Sequence, residues 1–426
     1  MSKKNIMTLA KSLWPIHRTI AGPGIRLSLQ IIKSYQGLLK IKSIKSGTKV
    51  FDWKIPKEWA IKDAWIKFNN KKIIDYKKNN LHVVGFSSKI NRILELKDLK
   101  HRLHFIKKIP NAIPYVTSYY KKYWGFCIQY DDFKKLPKGK YQVFIDSKFT
   151  KGNLNYGELV FKGKSKKEIL FSTYLCHPSM ANNEISGPCV STFLSKYVKN
   201  MKYRHYTYRF IFVPETIGSI AYISKNFDQM KKNIIAGFNL SCIGDEREYS
   251  YISSRSGNTI ADQIAKKILF SIDKKFKKYS WLERGSDERQ FCSPGVDLPI
   301  CTISRSKFGK YKEYHNSLDV IGKVVTKNVM NSSITLLKKI INCLENTFYY
   351  NSVYKCEPFM TKRKLYNSLS KYENSNNHKD LMNVLSMCDG KTELDKISNK
   401  CNLSHSKLNI LLKTLEKKRL IYKSKF

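Results

Sequence analysis

Apolar positions between residues 168 and 347 fall into short continuous runs that alternate with stretches of helical spacing. Glu168–Leu175 (EILFSTYL), Arg209–Val213 (RFIFV), Ile234–Leu240 and Leu298–Ser304 each have the length and the β-branched or aromatic content of a buried strand. Between and after them, Gly187–Val198, Gly218–Phe227, Thr259–Ser271 and Val325–Thr347 read as helices. Strand followed by helix in this way predicts an α/β domain with a mostly parallel sheet. Such sheets bind ligands outside the carboxyl ends of their strands, so the loops after each strand are where chemistry is to be sought.

The flanking regions have a different texture. Thr8–Leu39 has helical spacing on both sides of a break at Gly22-Pro23-Gly24. Residues 50–163 carry short β-branched and aromatic runs such as HVVGF, YQVFIDS and YGELVFKG between turn signals, and read as a small mostly-β unit. It interrupts an α/β domain made of residues 1–49 and 164–357. Residues 358–377 are polar and irregular, as a linker is, and residues 378–426 hold three helical patterns, His378–Cys388, Glu393–Cys401 and Ser404–Arg419, with a basic tail. Ser404 is placed to cap the third helix.

Composition removes several classes. Of 426 residues, 42% are hydrophobic and 13% aromatic, enough for a real core, so a wholly disordered chain is excluded. No apolar run reaches the length of a membrane span, and the N-terminal stretch lacks the apolar core of a signal peptide. Ten cysteines without a CxxC pair fit a reduced, cytoplasmic protein. The 79 Lys and Arg against 33 Asp and Glu give a net charge of +46, yet the lysines spread over nearly every segment together with Asn, Ile and Tyr. That spread reads as compositional background more than as a binding field. Function must therefore come from particular residues.

The strand-end loops supply them. His177 directly follows the first buried strand, in CHPSMANNEISGP, with Asn183 and Glu184 a few residues on. Glu215 follows RFIFV, Asp245 follows Ile234–Leu240, Asp287 precedes the fourth strand, and His315 lies beyond it in EYHNSLD between Glu313 and Asp319. Any one of these carboxylates could cap a helix or pair with a lysine. Histidines and carboxylates at successive strand ends are instead the donor set of an open zinc site, where a bound water becomes acidic and a neighbouring carboxylate takes its proton. No GxSxG, GxxxxGK[ST] or strand-borne GxGxxG is present to support a serine hydrolase or a nucleotide site.

The order CHPSMANNEISGP, FVPETIGSIAY, CIGDE, GSDERQFCSPGVDLP and EYHNSLD, with LWPIHRTIAGPGIR, FDWKIPKEW and SYYKKYWGFC before it, resembles a bacterial family of aminopeptidase-like proteins of unknown function. The resemblance implies a zinc aminopeptidase-like, phosphorylase/hydrolase-like α/β core, a nested β domain and a C-terminal winged helix. It implies Glu215 as general base or ligand, and metal ligands among His177, Glu184, Asp245 and His315. Asn183 and Asp287 would lie close by, orienting a ligand or holding a substrate amine. Where the wider clan has a bridging Asp this sequence has Asn183, a second Glu is replaced by Thr216, and another ligand Asp by Ser241. Asn is a poor bridge between cations, so one zinc is expected rather than two.

The resulting expectation is a zinc-dependent hydrolase of a short peptide or small amide. Its rivals are a degenerate ligand sensor or a DNA- or partner-binding regulator, and an amidohydrolase acting on a surface-polysaccharide precursor. Only one Lys, Lys407, stands at the start of the third C-terminal helix, where bases would be read, so specific DNA binding is not expected. Oligomerisation stays open.

Overall fold

A computed structural model describes residues 4–365 and 376–425, so residues 366–375 of the expected linker lie outside the described residues. The chain divides into two compact units, residues 1–342 and 343–426.

The larger unit is built on an eight-stranded sheet. Its order is Lys40–Lys45, Asn153–Phe161, Thr207–Val213, Glu168–Tyr174, Ile234–Leu240, Ile300–Ser304, Ser250–Ile252 and Lys277–Tyr279. The four central strands, Thr207–Val213 to Ile300–Ser304, run parallel to one another and are buried along their whole length. Continuous apolar runs are what a sheet covered on both faces requires. The sheet as a whole is mixed, because Lys40–Lys45, Asn153–Phe161 and Ser250–Ile252 join antiparallel. Asn153–Phe161, read from sequence with the small β unit, pairs instead with Thr207–Val213 in the large sheet. Its burial on both faces is that of an inner strand.

Strand order fixes where a site can form. The chain goes from Glu168–Tyr174 to Thr207–Val213 on one side, then crosses to Ile234–Leu240 on the other. Glu168–Tyr174 is therefore the strand at which the winding reverses, and the crevice at its carboxyl end is the one that such sheets leave open. His177 is three residues beyond it.

Helices cover the sheet. Ser186–Lys199 begins in a five-residue π-turn, Ala181–Ile185, and lies so close to the strands that a Cβ on Gly187 would meet the Thr173 hydroxyl at 2.2 Å and the Leu240 carbonyl oxygen at 2.7 Å. Thr259 caps Ile260–Ile272 with a reciprocal capping box, its hydroxyl accepting from the Asp262 N–H. Arg209, buried in the sheet, donates to Glu168 and Glu158, an ion-pair cluster that also holds Tyr222.

A second, four-stranded antiparallel sheet orders Lys71–Asp75, Glu58–Phe68, Lys140–Thr150 and Ile90–Glu95. Trp59 anchors it: the indole is 1% exposed, stacks on Phe86 and donates to the Ser87 carbonyl, while its backbone N–H donates to Ala21 in the opening helical segment.

The smaller unit packs helices Asn376–Ser386, Leu394–Cys401 and His405–Lys417 around Val384, Ile397, Leu412 and Leu415. Ile421–Ser424 forms an antiparallel ribbon with Tyr349–Ser352, which lies upstream of the segment read as this unit from sequence. Ser404 caps the third helix by accepting from the Lys407 N–H.

Gly187→Ala tests the helix–sheet contact. A new methyl gains at most about 1 kcal/mol of helix propensity. Its clash with a fixed carbonyl costs about 1–3 kcal/mol. Net destabilisation, seen as a lower denaturant midpoint with unchanged slope, is the expected outcome.

Candidate functional site

His177 is fixed from behind. Its Nδ1 lies 2.9 Å from Glu184 Oε2, and Glu184 Oε1 accepts from Arg18 Nε at 3.2 Å. The same Arg18 Nε reaches the His177 carbonyl at 3.0 Å, and its Nη1 donates to the Leu13 carbonyl. Arg18 and Glu184 are both fully buried. Arg18 comes from the turn before Gly22-Pro23-Gly24, where a Cβ on Gly24 would lie 2.1 Å from the His17 carbonyl oxygen. The glycine lets the second helix pass against the Arg18 backbone.

Glu184 therefore orients the imidazole. With Cys176 and His177 it also forms a buried group whose possible ligand atoms all lie within 4.8 Å of one another, although Arg18 already holds one of its oxygens. Burial acts to lower the His177 pKa, yet it stands well above the ordinary histidine range because of Cys176 and Glu184. The Cys176 thiol is pushed up to about 11 by burial and is neutral near pH 7, so Glu184 is the charge that holds the proton. Cys176 Sγ, 3.5 Å away, approaches the same Nδ1 as Glu184, an arrangement unlike a Cys–His–carboxylate relay, which uses both ring nitrogens.

The other face of His177 opens on the crevice. Nε2 lies 3.5 Å from Glu215 Oε2, and Glu215 Oε1 accepts from the Ser286 hydroxyl at 3.0 Å. Burial raises the Glu215 pKa, and the charge of His177 opposes that rise. The His315 ring centroid is 5.4 Å from that of His177, and Tyr115 stands edge-on to both rings. His315 stacks on Tyr314, its Nε2 is buried without a partner, and burial followed by the charge of His177 lowers its pKa to about 3. It is a neutral imidazole with an unsatisfied nitrogen.

Three expected participants occupy other places. Asp245 is buried, but its oxygens accept from the Ser306 N–H, the Ser306 hydroxyl and Arg247, so it braces its own loop and is not brought to the histidines. Asp287 is bound to the loop that carries Thr216. One oxygen accepts from the Thr216 N–H and the Ser219 hydroxyl, the other is buried without a partner, and burial with the nearby charge of Glu215 raises its pKa to about 8. Asn183 places its side-chain oxygen 3.3 Å from the Tyr174 hydroxyl, which also donates to the Asn183 carbonyl, and its side-chain nitrogen is buried without a partner.

The loops are held under strain. Thr216, Ser179, Cys242 and His315 all have positive φ, and Thr216, a β-branched residue, has φ 63°. Asp319 grips the π-turn, its two oxygens accepting from the Asn182 and Asn183 N–H groups at 2.7 and 2.8 Å.

His177, Glu215 and His315 open together on a cavity of about 430 Å³. Trp53, Tyr119 and Tyr120 from the nested unit form its apolar wall, and Arg289 is at its edge. Sequence reasoning passed over Arg18, Tyr115, Ser286 and Arg289. Arg18 alone had a signal, its place next to the Gly-Pro-Gly break.

The mixed sheet with its parallel centre, the reversal at Glu168–Tyr174 and the loops gathered there define an aminopeptidase-like α/β fold. A zinc aminopeptidase from Bacillus subtilis superposes with a TM-score of 0.58 at 15% identity, covering 79% of this chain and 92% of that one. An M28 peptidase precursor from Shewanella amazonensis gives 0.56 at 10% identity, over 84% and 95%. The chain belongs to the family described as domain of unknown function DUF4910, matched over residues 7–347, and continues into a winged helix-turn-helix matched over residues 347–423. A Clostridium acetobutylicum protein described as a polysaccharide biosynthesis protein with an aminopeptidase-like domain is 39% identical over 98% of this chain and 95% of its own length. A crystal structure described as a peptidase from the same organism gives a TM-score of 0.82 at 37% identity, over 98% and 96%.

The Arg18–Glu184 pair generates a stability prediction. Arg18→Met leaves the buried Glu184 carboxylate without its guanidinium, with His177 as the one remaining partner, and is expected to destabilise the protein by about 3–5 kcal/mol. Adding Glu184→Leu removes that stranded charge, so the double variant should be more stable than Arg18→Met alone in chemical denaturation.

Proposed function

We propose that the protein is a zinc-dependent, aminopeptidase-like hydrolase of a short peptide or other small amide. The observation that carries this reading is the buried, unpartnered Nε2 of His315, whose ring stands 5.4 Å from that of His177, with Glu215 Oε2 3.5 Å from His177 Nε2 and all three lining one cavity. Two imidazoles and one carboxylate suit an open zinc site, and a carboxylate on Nδ1 is the usual outer partner of a zinc-bound histidine. His177, His315 and Glu215 are the residues that would hold the ion. Zinc bound there supplies an acidified water and polarises a carbonyl.

Glu215 is assigned to the ion more than to free base work. One of its oxygens is 3.5 Å from the His177 nitrogen that a metal would share, and Ser286 fixes the other. The aromatic wall from the nested unit narrows the cavity and favours short substrates over folded proteins. One zinc rather than two fits the neutral side chains of Asn183 and Ser241.

The polysaccharide reading of the Clostridium relative supports one variation, an acylated sugar precursor as the amide, and such a substrate belongs in the assay beside aminoacyl amides. The regulator reading gains less. At the start of the third C-terminal helix, His405 pairs with Asp395 at 2.9 Å and Lys407 with Asp380 at 2.5 Å, so the side chains placed to read bases are engaged within the unit. We assign this unit to partner contact. No helix among the described residues is long and apolar enough to cross a membrane, and the cysteine usage supports a cytoplasmic setting.

Metal analysis of the purified protein is the direct test. Zinc near one equivalent is expected, and His177→Ala and His315→Ala should each lose it while circular dichroism stays unchanged. Full zinc in both variants overturns the assignment.

Glu215→Gln separates its roles. As a ligand, its loss takes the zinc with it. Metal retained with hydrolysis down by about two to four orders of magnitude makes it the base. Unchanged metal and activity removes Glu215 from the site.

A further inference from the structure

We propose that the cavity selects compounds with an apolar body and a carboxylate, and that Arg289 is the residue that binds the carboxylate; this rests on the hydrolase reading for the identity of the site. The lining is chemically one-sided. Apart from the two histidines, its ionisable acid–base groups are Glu215, Arg289 and the tyrosines Tyr115, Tyr119 and Tyr120. Glu215 is already engaged by Ser286 and faces His177.

Arg289 is different. Its Nε donates to the Ser286 carbonyl at 3.0 Å and its Nη2 to the Thr216 hydroxyl at 2.8 Å. These two neutral partners fix the plane of the guanidinium without neutralising it, and among the described residues it forms no ion pair with a carboxylate. Its charge reaches Glu215 across the cavity but is not matched by a direct carboxylate partner, and a half-buried, pre-oriented guanidinium lining a largely apolar cavity is an anion site. Its fork matches a carboxylate with two parallel hydrogen bonds. The same charge repels an ammonium, and the lining offers an ammonium no carboxylate beyond Glu215. Ile20, Ile217, Trp53 and Tyr120 give the apolar body its surface.

The substrate class that follows is a small amide whose other end is a carboxylate, such as an acylated amino acid or a dipeptide held by its C-terminal end. An amide held by its free amine does not meet these requirements.

The test is binding, made on the full-length protein after chelation so that no metal competes for the carboxylate. Calorimetric titrations with 3-phenylpropanoate, 3-phenylpropanamide and 2-phenylethylamine compare an acid, a neutral amide and an amine on one apolar body. The acid is expected to bind about tenfold or more tightly than the amide, and the amine most weakly. Arg289→Met should lose about that factor for the acid with little change for the amide, and Arg289→Lys should recover part of it, retaining charge without the fork. Circular dichroism checks that both variants are folded. Equal binding of acid and amide, tighter binding of the amine, no saturable binding of the acid at millimolar concentration, or an unchanged acid affinity in Arg289→Met each overturns the proposal. The outcome is separable from the hydrolase reading. A protein that binds the acid through Arg289 but takes up no zinc sinks only the hydrolase, whereas a zinc hydrolase indifferent to the carboxylate sinks only this proposal.

Discussion

The buried pair of Arg18 and Glu184 is the contact on which the candidate site depends. Two ions taken fully out of water are tolerated only where further hydrogen bonds complete their shells. Here most of that shell comes from the carbonyls of Leu13 and His177 and the His177 imidazole, while Arg18 Nη2 stays buried without a partner. The pair thus ties the opening helical segment to the end of the strand at which the sheet reverses, across a sequence separation of 166 residues. It also decides how His177 presents itself, because a ring whose Nδ1 is held by a carboxylate offers Nε2 to the crevice. The small glycine-rich turn at residues 22–24 serves this geometry, since the backbone passes Arg18 where no side chain fits.

Around that anchor the loops are bent into conformations their residues resist. Thr216, Ser179, Cys242 and His315 all hold positive φ, the first three within about five residues of a strand end and His315 further along the loop after Ile300–Ser304. Such conformations persist only where neighbouring groups over-determine them. Asp319 and Asp287 do that work. Each is buried, each accepts backbone N–H groups of a site loop, and each has its pKa raised by its burial. Carboxylates that sequence position alone suggests as ligands are thus used to shape the loops that carry the histidines.

This division of labour explains what could be read from sequence. The four parallel strands were legible because they are buried on both faces and their apolar runs are unbroken. Short strands such as Ser250–Ile252 and Lys277–Tyr279 were not, since a three-residue strand has no period to read. Asn153–Phe161 was seen as a strand but placed in the wrong sheet, as pairing partners far apart in sequence leave no local mark. His177, Glu215 and His315 were legible from their places after strands. Asp245, Glu184 and Asp287 have the same local signature, and only the hydrogen-bond partners Ser306, Arg18 and Thr216 tell them apart. Those partners lie between 61 and 166 residues away in the chain, beyond any motif.

Charge bookkeeping in the crevice bears on how many cations it can hold. Two divalent ions about 3.5–4 Å apart, as in two-metal hydrolases, repel each other by roughly 20 kcal/mol at an effective dielectric constant of 20. Bridging and flanking carboxylates normally offset that repulsion. By the family resemblance the bridge position falls on Asn183, whose oxygen lies near the Tyr174 hydroxyl, and Ser241 is bonded to the same hydroxyl. Glu184 is shared between Arg18 and His177, Asp245 is committed to Ser306 and Arg247, and the pKa of Asp287 is raised to about 8. What remains to face a cation is one carboxylate, Glu215, and two imidazoles. On the proposed reading that set offsets half the charge of one zinc, and the neutral side chains at Asn183 and Ser241 and the engagement of Glu184 by Arg18 all weigh against a second.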